Sequence, residues 1–166
     1  TCRSLGYDEI ITYSFISPTY YDKIRWAKDD PRRKSLKIMN PLGEDTSIMR
    51  TTTLPSMLEI LARNYNFRNK SAKLYELGRT YFAKNDGSGM VDEPKVLSLG
   101  AYGADMDFFA LKGAVEAVLA AFDEEAGGKP RSGYVANIQG DLAVSANKRG
   151  VRIEPMSAYR ARRKRG

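Results

Sequence analysis

Apolar and polar residues alternate in ways that outline the elements before any single residue is considered. From Ile10 to Phe15 the chain runs through β-branched and aromatic residues and then meets Ser17–Pro18, which predicts a strand with a sharp stop. Pro18 opens a short predicted helix over "PTYYDKIRWA", with Tyr21, Ile24 and Trp26 facing inward. The charged "KDDPRRK" reads as a loop, "LKIMN" as a short strand stopped by Pro41, and "NPLGEDTSIMRTT" as backbone held by turns. Leu54, Met57, Leu58, Leu61, Ala62 and Tyr65 then recur at the helical period. They predict an amphipathic helix capped by Thr52 or Thr53, with Pro55 in its first turn and that whole stripe buried. Glu59 and Arg63 fall on its opposite, solvent-facing side.

Strand patterning returns at Lys73–Leu77 and Arg79–Ala83 on either side of Gly78, and again in "KVLSLGAYG" after the turn signal "NDGSG". A second helix is predicted over Asp107–Phe122, with Phe108, Leu111, Val115, Val118, Leu119 and Phe122 on one side. Beyond "DEEAGGKPRSG" the pattern weakens, and Tyr134–Ala146 holds one or two strands. Helices that separate groups of hairpin-like strands predict an α+β fold, an antiparallel sheet flanked by helices. A doubly wound fold is the weaker reading, because no glycine-rich phosphate loop follows a strand.

Composition narrows the chemistry. The 166 residues are 42% hydrophobic and 28% charged, an ordinary balance for a globular domain with its own core. The expected division is one domain over 1–158 and a basic tail over 159–166. Thr1 rather than Met opens the chain, so a piece of a longer protein is expected. The net charge is +7, and five of those charges sit in "RARRKRG", at Arg160, Arg162, Arg163, Lys164 and Arg165. The tail is therefore expected to give weak, salt-sensitive, sequence-blind RNA binding.

No histidine occurs, and Cys2 is the one cysteine. Ser–His and Cys–His nucleophilic mechanisms and thiolate zinc sites are excluded. A lone cysteine fits a reducing compartment, and a cytoplasmic, membrane-free protein is expected. Candidate contacts to RNA or to a partner subunit are Arg50, Arg68, Lys70 and Arg79. For Arg50 and Arg79 the simpler reading is a solvated salt bridge. In "NYNFRNK" the cations Arg68 and Lys70 also suit the negative end of a helix dipole.

Three ordered blocks, "GYDEIITYSF", "NPLGEDTSIMRTTTLPSMLEILARNYNFRNKSAKLYELGRTYF" and "DFFALKGAVEAVLAAF", cover about two-thirds of the chain. Together they resemble the β-subunit family of bacterial phenylalanyl-tRNA synthetases, in its class II synthetase-like core domain. The resemblance implies a noncatalytic copy of the synthetase fold that packs on a catalytic α subunit, two α with two β, in an enzyme that attaches phenylalanine to tRNA. ATP and Mg would then belong to the assembled enzyme, with no cofactor, metal or catalytic residue in this chain.

In active class II enzymes the second signature strand reads aromatic-Arg-x-acid, and its Arg grips the α-phosphate of ATP. Set on "GRTYFAK", Tyr81 takes the aromatic position, Phe82 stands where that Arg belongs and Lys84 where the acid belongs. A phenyl ring cannot donate to phosphate, and an ammonium cannot accept from the adenine amino group. The chain also departs from the family after Met156, reading "AYRARRKRG" where Tyr-His-Pro-Gly-Arg is usual, which leaves the tail's role open. Two alternatives stay beside the scaffold reading: an independent RNA-binding module, and a regulatory synthetase paralogue.

Overall fold

A computed structural model describes residues 1–84, 86–125, 142–147 and 150–155, with side chains placed over 1–84 and 86–122. The described chain divides into two compact units, one over Gly6–Gly103 and the other formed by Thr1–Leu5 with the described residues from Ala104 onward.

In the first unit, β1 (Asp8–Glu9) runs parallel to a later strand, and β2 (Phe15–Ile16) pairs antiparallel with β3 (Ile48–Met49). The strand predicted over Ile10–Phe15 is thus broken in two. Ile10 N–H still donates to Tyr75 O at 2.8 Å, but Thr12 turns both its N–H and its hydroxyl to the Glu76 carboxylate, so a side chain replaces the ladder there. The predicted first helix is a single turn, α1 (Tyr20–Lys23), and Arg25 ends it at φ 57°. Tyr21 and Trp26 are buried and stack with centroids 5.4 Å apart, joining Ile16 and Ile48 in a small core. Within "KDDPRRK" a 3-10 turn forms at Pro31–Arg33, capped by Asp30, and the predicted "LKIMN" strand is reduced to one bridge from Lys37 to Ile48.

Next comes α2 (Leu54–Asn66), with Thr53 at its N-cap and Pro55 in the first turn as predicted. The Thr53 hydroxyl does not cap the helix; it hydrogen-bonds the Ser98 hydroxyl, while Thr52 Oγ1 accepts from Leu54 N–H at 3.3 Å. The buried face is turned away from the predicted stripe. Pro55, Ser56 and Met57 are buried and Ile60 and Leu61 half-buried, whereas Leu58 is 43% exposed and Ala62 and Tyr65 lie in solvent.

After α2 come β4 (Ala72–Arg79), continuous through Gly78, β5 (Phe82–Ala83), β6 (Val91–Asp92) and β7 (Lys95–Tyr102), and α2 packs on β4 and β7. The sheet order is β1-β4-β7, with β4 and β7 antiparallel from Ala72↔Tyr102 to Arg79↔Lys95, and β5–β6 extends the same hairpin. Side chains alternate across a strand, so Leu74 and Glu76 share the buried face of β4. Gly100 in β7 sits beneath α2: a Cβ there would lie 2.8 Å from Met57 Cγ and Leu61 Cδ1, so only glycine permits this approach. That fit sets the rotation of α2.

In the second unit, α3 (Phe108–Glu125) begins one residue after Asp107, whose Oδ1 accepts from Ala110 N–H at 2.8 Å. It buries Val115 and Val118 as predicted, together with Ala114, while Phe122 is partly exposed. β8 (Leu142–Asn147) pairs antiparallel with β9 (Gly150–Pro155). Residues 134–141, the predicted start of that strand region, and the basic tail lie outside the described residues. Among the described residues no helix is long and apolar enough to cross a membrane. The predicted α+β class with helices beside an antiparallel sheet is the observed one, with the short parallel β1 added at its edge.

Candidate functional site

Three chain segments, around residues 12–14, 50 and 76–81, converge on Arg50. Its backbone N–H donates to Ser14 O at 2.9 Å and its carbonyl accepts from Tyr81 N–H at 2.9 Å, so it ties the residue after β3 to the two other segments. Its guanidinium turns inward and is 2% exposed. Nη2 donates to Glu76 Oε1 at 3.1 Å, Nη1 to Thr12 Oγ1 at 2.7 Å, and Nε to Arg79 O at 2.8 Å. The Thr12 hydroxyl accepts from Arg50 and passes its own hydrogen to Glu76 at 2.9 Å. Gly78 makes room: a Cβ there would stand 2.5 Å from Arg50 Nη2. A buried charge pair of this kind is tolerated only when nearly every donor and acceptor is met, and here they are.

The expectation of Arg50 as an outward contact or a solvated salt bridge is therefore corrected. Its cation is committed to Glu76, because the alternation of β4 drives that carboxylate into the core beneath α2. Glu76 and Thr12 were missed at the sequence level. The signal that was available is the two-residue spacing from Leu74 to Glu76, which puts the carboxylate on the same face of a strand as an apolar residue, where an acid is buried only when paired. Arg79 lies at the surface, 3.2 Å from Glu93 in an exposed salt bridge, and meets Arg50 only through its carbonyl. Arg68 and Lys70 are exposed at the end of α2, away from this cluster in the chain.

From the same crossing the β4–β5 strand continues into the hairpin that carries Phe82 and Lys84. Phe82 is half-buried in β5 and paired with Asp92, and Lys84 is exposed, its backbone N–H donating to Met90 O at 3.0 Å. These side chains do not fit ATP: the ring has no donor for a phosphate, and the ammonium is no acceptor for an adenine amino group. Among the described residues no three His, Cys, Asp or Glu side chains are grouped to hold a metal ion.

A second feature is apolar. Ile11 is 92% and Tyr13 84% exposed, and Phe15 after them is also exposed, so alternate residues between β1 and the start of β2 leave an apolar strip in solvent. On the far side of α1, the Tyr20 hydroxyl donates to Glu59 Oε2 at 2.6 Å, and the adjoining carboxylate pushes its pKa up to about 12. Asp22 is held below the usual carboxylate range by hydrogen bonds from Lys28 and Arg33.

The sheet crossed by α2, with a hairpin leading out of its central strand, belongs to a chain whose structural likenesses give it the class II aminoacyl-tRNA synthetase fold. The chain superposes on two structures of pyrrolysyl-tRNA synthetase from Desulfitobacterium hafniense. In one the TM-score is 0.57 over 93% of this chain and 49% of that chain, at 15% identity. In the other it is 0.57 over 92% of this chain and 50% of that chain, at 16% identity. More specifically, the chain belongs to the family described as phenylalanyl tRNA synthetase beta chain CLM domain, which matches residues 1–143.

Curated relatives carry the name phenylalanine–tRNA ligase beta subunit. That of Clostridium acetobutylicum is 50% identical over 113 residues, 68% of this chain and 14% of the relative. That of Clostridium tetani is 47% identical over 111 residues, 67% of this chain and 14% of the relative. That of Geobacter metallireducens is 38% identical over 128 residues, 70% of this chain and 16% of the relative. The chain thus spans about one-seventh of the length of the first of these.

Proposed function

We propose that this chain is a noncatalytic, synthetase-shaped scaffold within a cytoplasmic phenylalanine–tRNA ligase, and that it packs against a catalytic α subunit in an assembly of two α and two β. In this reading the α subunit binds ATP, Mg, phenylalanine and the reacting end of the tRNA, and this chain supplies shape. The observation that carries the reading is the antiparallel pairing of β5 with β6, a hairpin on which the resemblance sets Phe82 and Lys84 at the two ATP-facing positions of the second motif. The exposed strip of Ile11, Tyr13 and Phe15 supports it, because large apolar side chains left in solvent together mark an interaction surface. Aromatic residues at such surfaces carry much of the binding energy.

The test is the intact mass of the ligase assembly purified with Tyr13→Asp and Ile11→Asp in its β subunit. Placing two carboxylates in the contact is expected to free the α subunit at concentrations where the unaltered assembly stays whole. The exposure of both sites predicts an unchanged thermal midpoint for the altered β subunit. An assembly of unaltered mass would refute the strip as the contact.

A further inference from the structure

The C-terminal end of α2 carries a surface that subunit packing does not explain. From Ile60 to Tyr75 the chain holds four cations, Arg63, Arg68, Lys70 and Lys73, and no acid. All four are exposed, and none of them is among the ion pairs of the described residues. Two aromatic residues stand between them, Tyr65 at 68% and Phe67 at 72% exposed. The negative end of a helix dipole accounts for cations at this place. It does not account for two rings left in water.

The segment is also fixed in shape. Asn64 Nδ2 donates to Ile60 O at 3.0 Å, and Asn64 Oδ1 accepts from Asn69 Nδ2 at 2.8 Å. Backbone N–H groups of Arg68 and Asn69 return to Tyr65 O and Asn64 O at 2.9 and 3.2 Å. The Tyr102 hydroxyl donates to Asn69 O at 3.0 Å, and the Tyr65 ring stands edge-on to Tyr102 at 5.9 Å. Arg68 ends the helix at φ 63°, a left-handed conformation that a residue with a side chain adopts only when its surroundings hold it there. The Arg63 guanidinium lies 6.0 Å from the Phe67 centroid.

Rings held on a fixed turn with unpaired cations around them match an unpaired nucleotide, whose base offers a π-face and whose phosphate needs a counter-charge. A paired helix hides its base faces and would use only the cations. We propose that Tyr65 and Phe67, with Arg68, Lys70 and Lys73, bind unpaired nucleotides of RNA. The proposal goes beyond subunit packing and rests on the ligase reading only for RNA as the polyanion.

It is tested by fluorescence anisotropy of a labelled single-stranded RNA of mixed sequence, titrated with the whole 166-residue chain across a salt series. The basic tail adds the same background to every variant. Tyr65→Ala and Phe67→Ala are each expected to weaken binding by about tenfold at fixed salt without changing the salt slope. Tyr65→Phe and Phe67→Tyr keep the stacking face and should bind as the unaltered chain does. Arg68→Gln with Lys70→Gln removes two phosphate contacts and should flatten the slope by about 1.4. Ring variants that bind like the unaltered chain would overturn the proposal, as would equal competition by heparin or by a fully paired duplex. So would loss of α-subunit assembly with Phe67→Ala, which would make this a protein contact. RNA binding lost at this surface while assembly persists leaves the packing reading untouched.

Discussion

Arg50 is the residue on which the geometry of the site depends, because its side chain reaches Thr12, Tyr13, Glu76 and Arg79 at once. Removing one member of a buried pair strands the other, so Arg50→Met is expected to cost about 3–5 kcal/mol in urea unfolding. Arg79→Ala breaks only an exposed bridge to Glu93 and is expected to cost under about 1 kcal/mol. Gly78→Ala should fall between, at about 1–3 kcal/mol, since its Cβ would press on a guanidinium that cannot swing away. Equal effects at Arg50 and Arg79 would mean that the pair is not buried as described. Tyr20 gives a pH-dependent counterpart. Its pKa is raised in the folded state, so the stabilisation it shares with Glu59 is complete below the ordinary tyrosine value of about 10 and is lost as the pH rises toward about 12. Ultraviolet titration of phenolate should show a late-titrating tyrosine that disappears in Tyr20→Phe and moves down in Glu59→Ala.

At the scale of elements, α2 separates what periodicity reveals from what packing decides. Its span, N-cap position and early proline were legible from Thr53 and Pro55 onward. Its rotation was not, because a hydrophobic stripe records which residues are apolar and says nothing of where the sheet offers a gap. The gap is at Gly100, and Met57 fills it. Met57→Ala is therefore expected to cost about 2–5 kcal/mol, and Leu58→Ala under about 1 kcal/mol, in the same unfolding assay. A larger loss at Leu58 would restore the stripe that periodicity predicts. The same limit explains the broken first strand: Thr12 reads as a β-former in "IITYSF", yet its hydroxyl and N–H are taken by Glu76 from a strand 64 residues away. Strands without such a claim on them, β7 above all, lie where their composition and the preceding turn signal placed them. At the site, Phe82 and Lys84 were legible only by resemblance, while the inward turn of Arg50 needed the face of β4 to be known.

In the molecule as a whole, shape and chemistry part company. The chain has the fold of a class II synthetase, and where residues 12–14, 50 and 76–81 meet it holds a buried ion pair between Arg50 and Glu76. In the reading proposed above, such a domain serves a ligase by holding a partner and by presenting surfaces. The most direct measurement is phenylalanine-dependent ATP–pyrophosphate exchange by the intact ligase assembly carrying Phe82→Leu and Lys84→Ala in its β subunit. Leucine keeps the half-buried apolar volume, and Lys84 is exposed, so folding and assembly should persist. The account predicts an exchange rate within about twofold of the unaltered enzyme. Loss of one donor that stabilises transition-state charge typically slows an enzyme by about a hundredfold or more. A fall of that size, in an assembly of unchanged mass, would place this hairpin in the chemistry and contradict the scaffold reading.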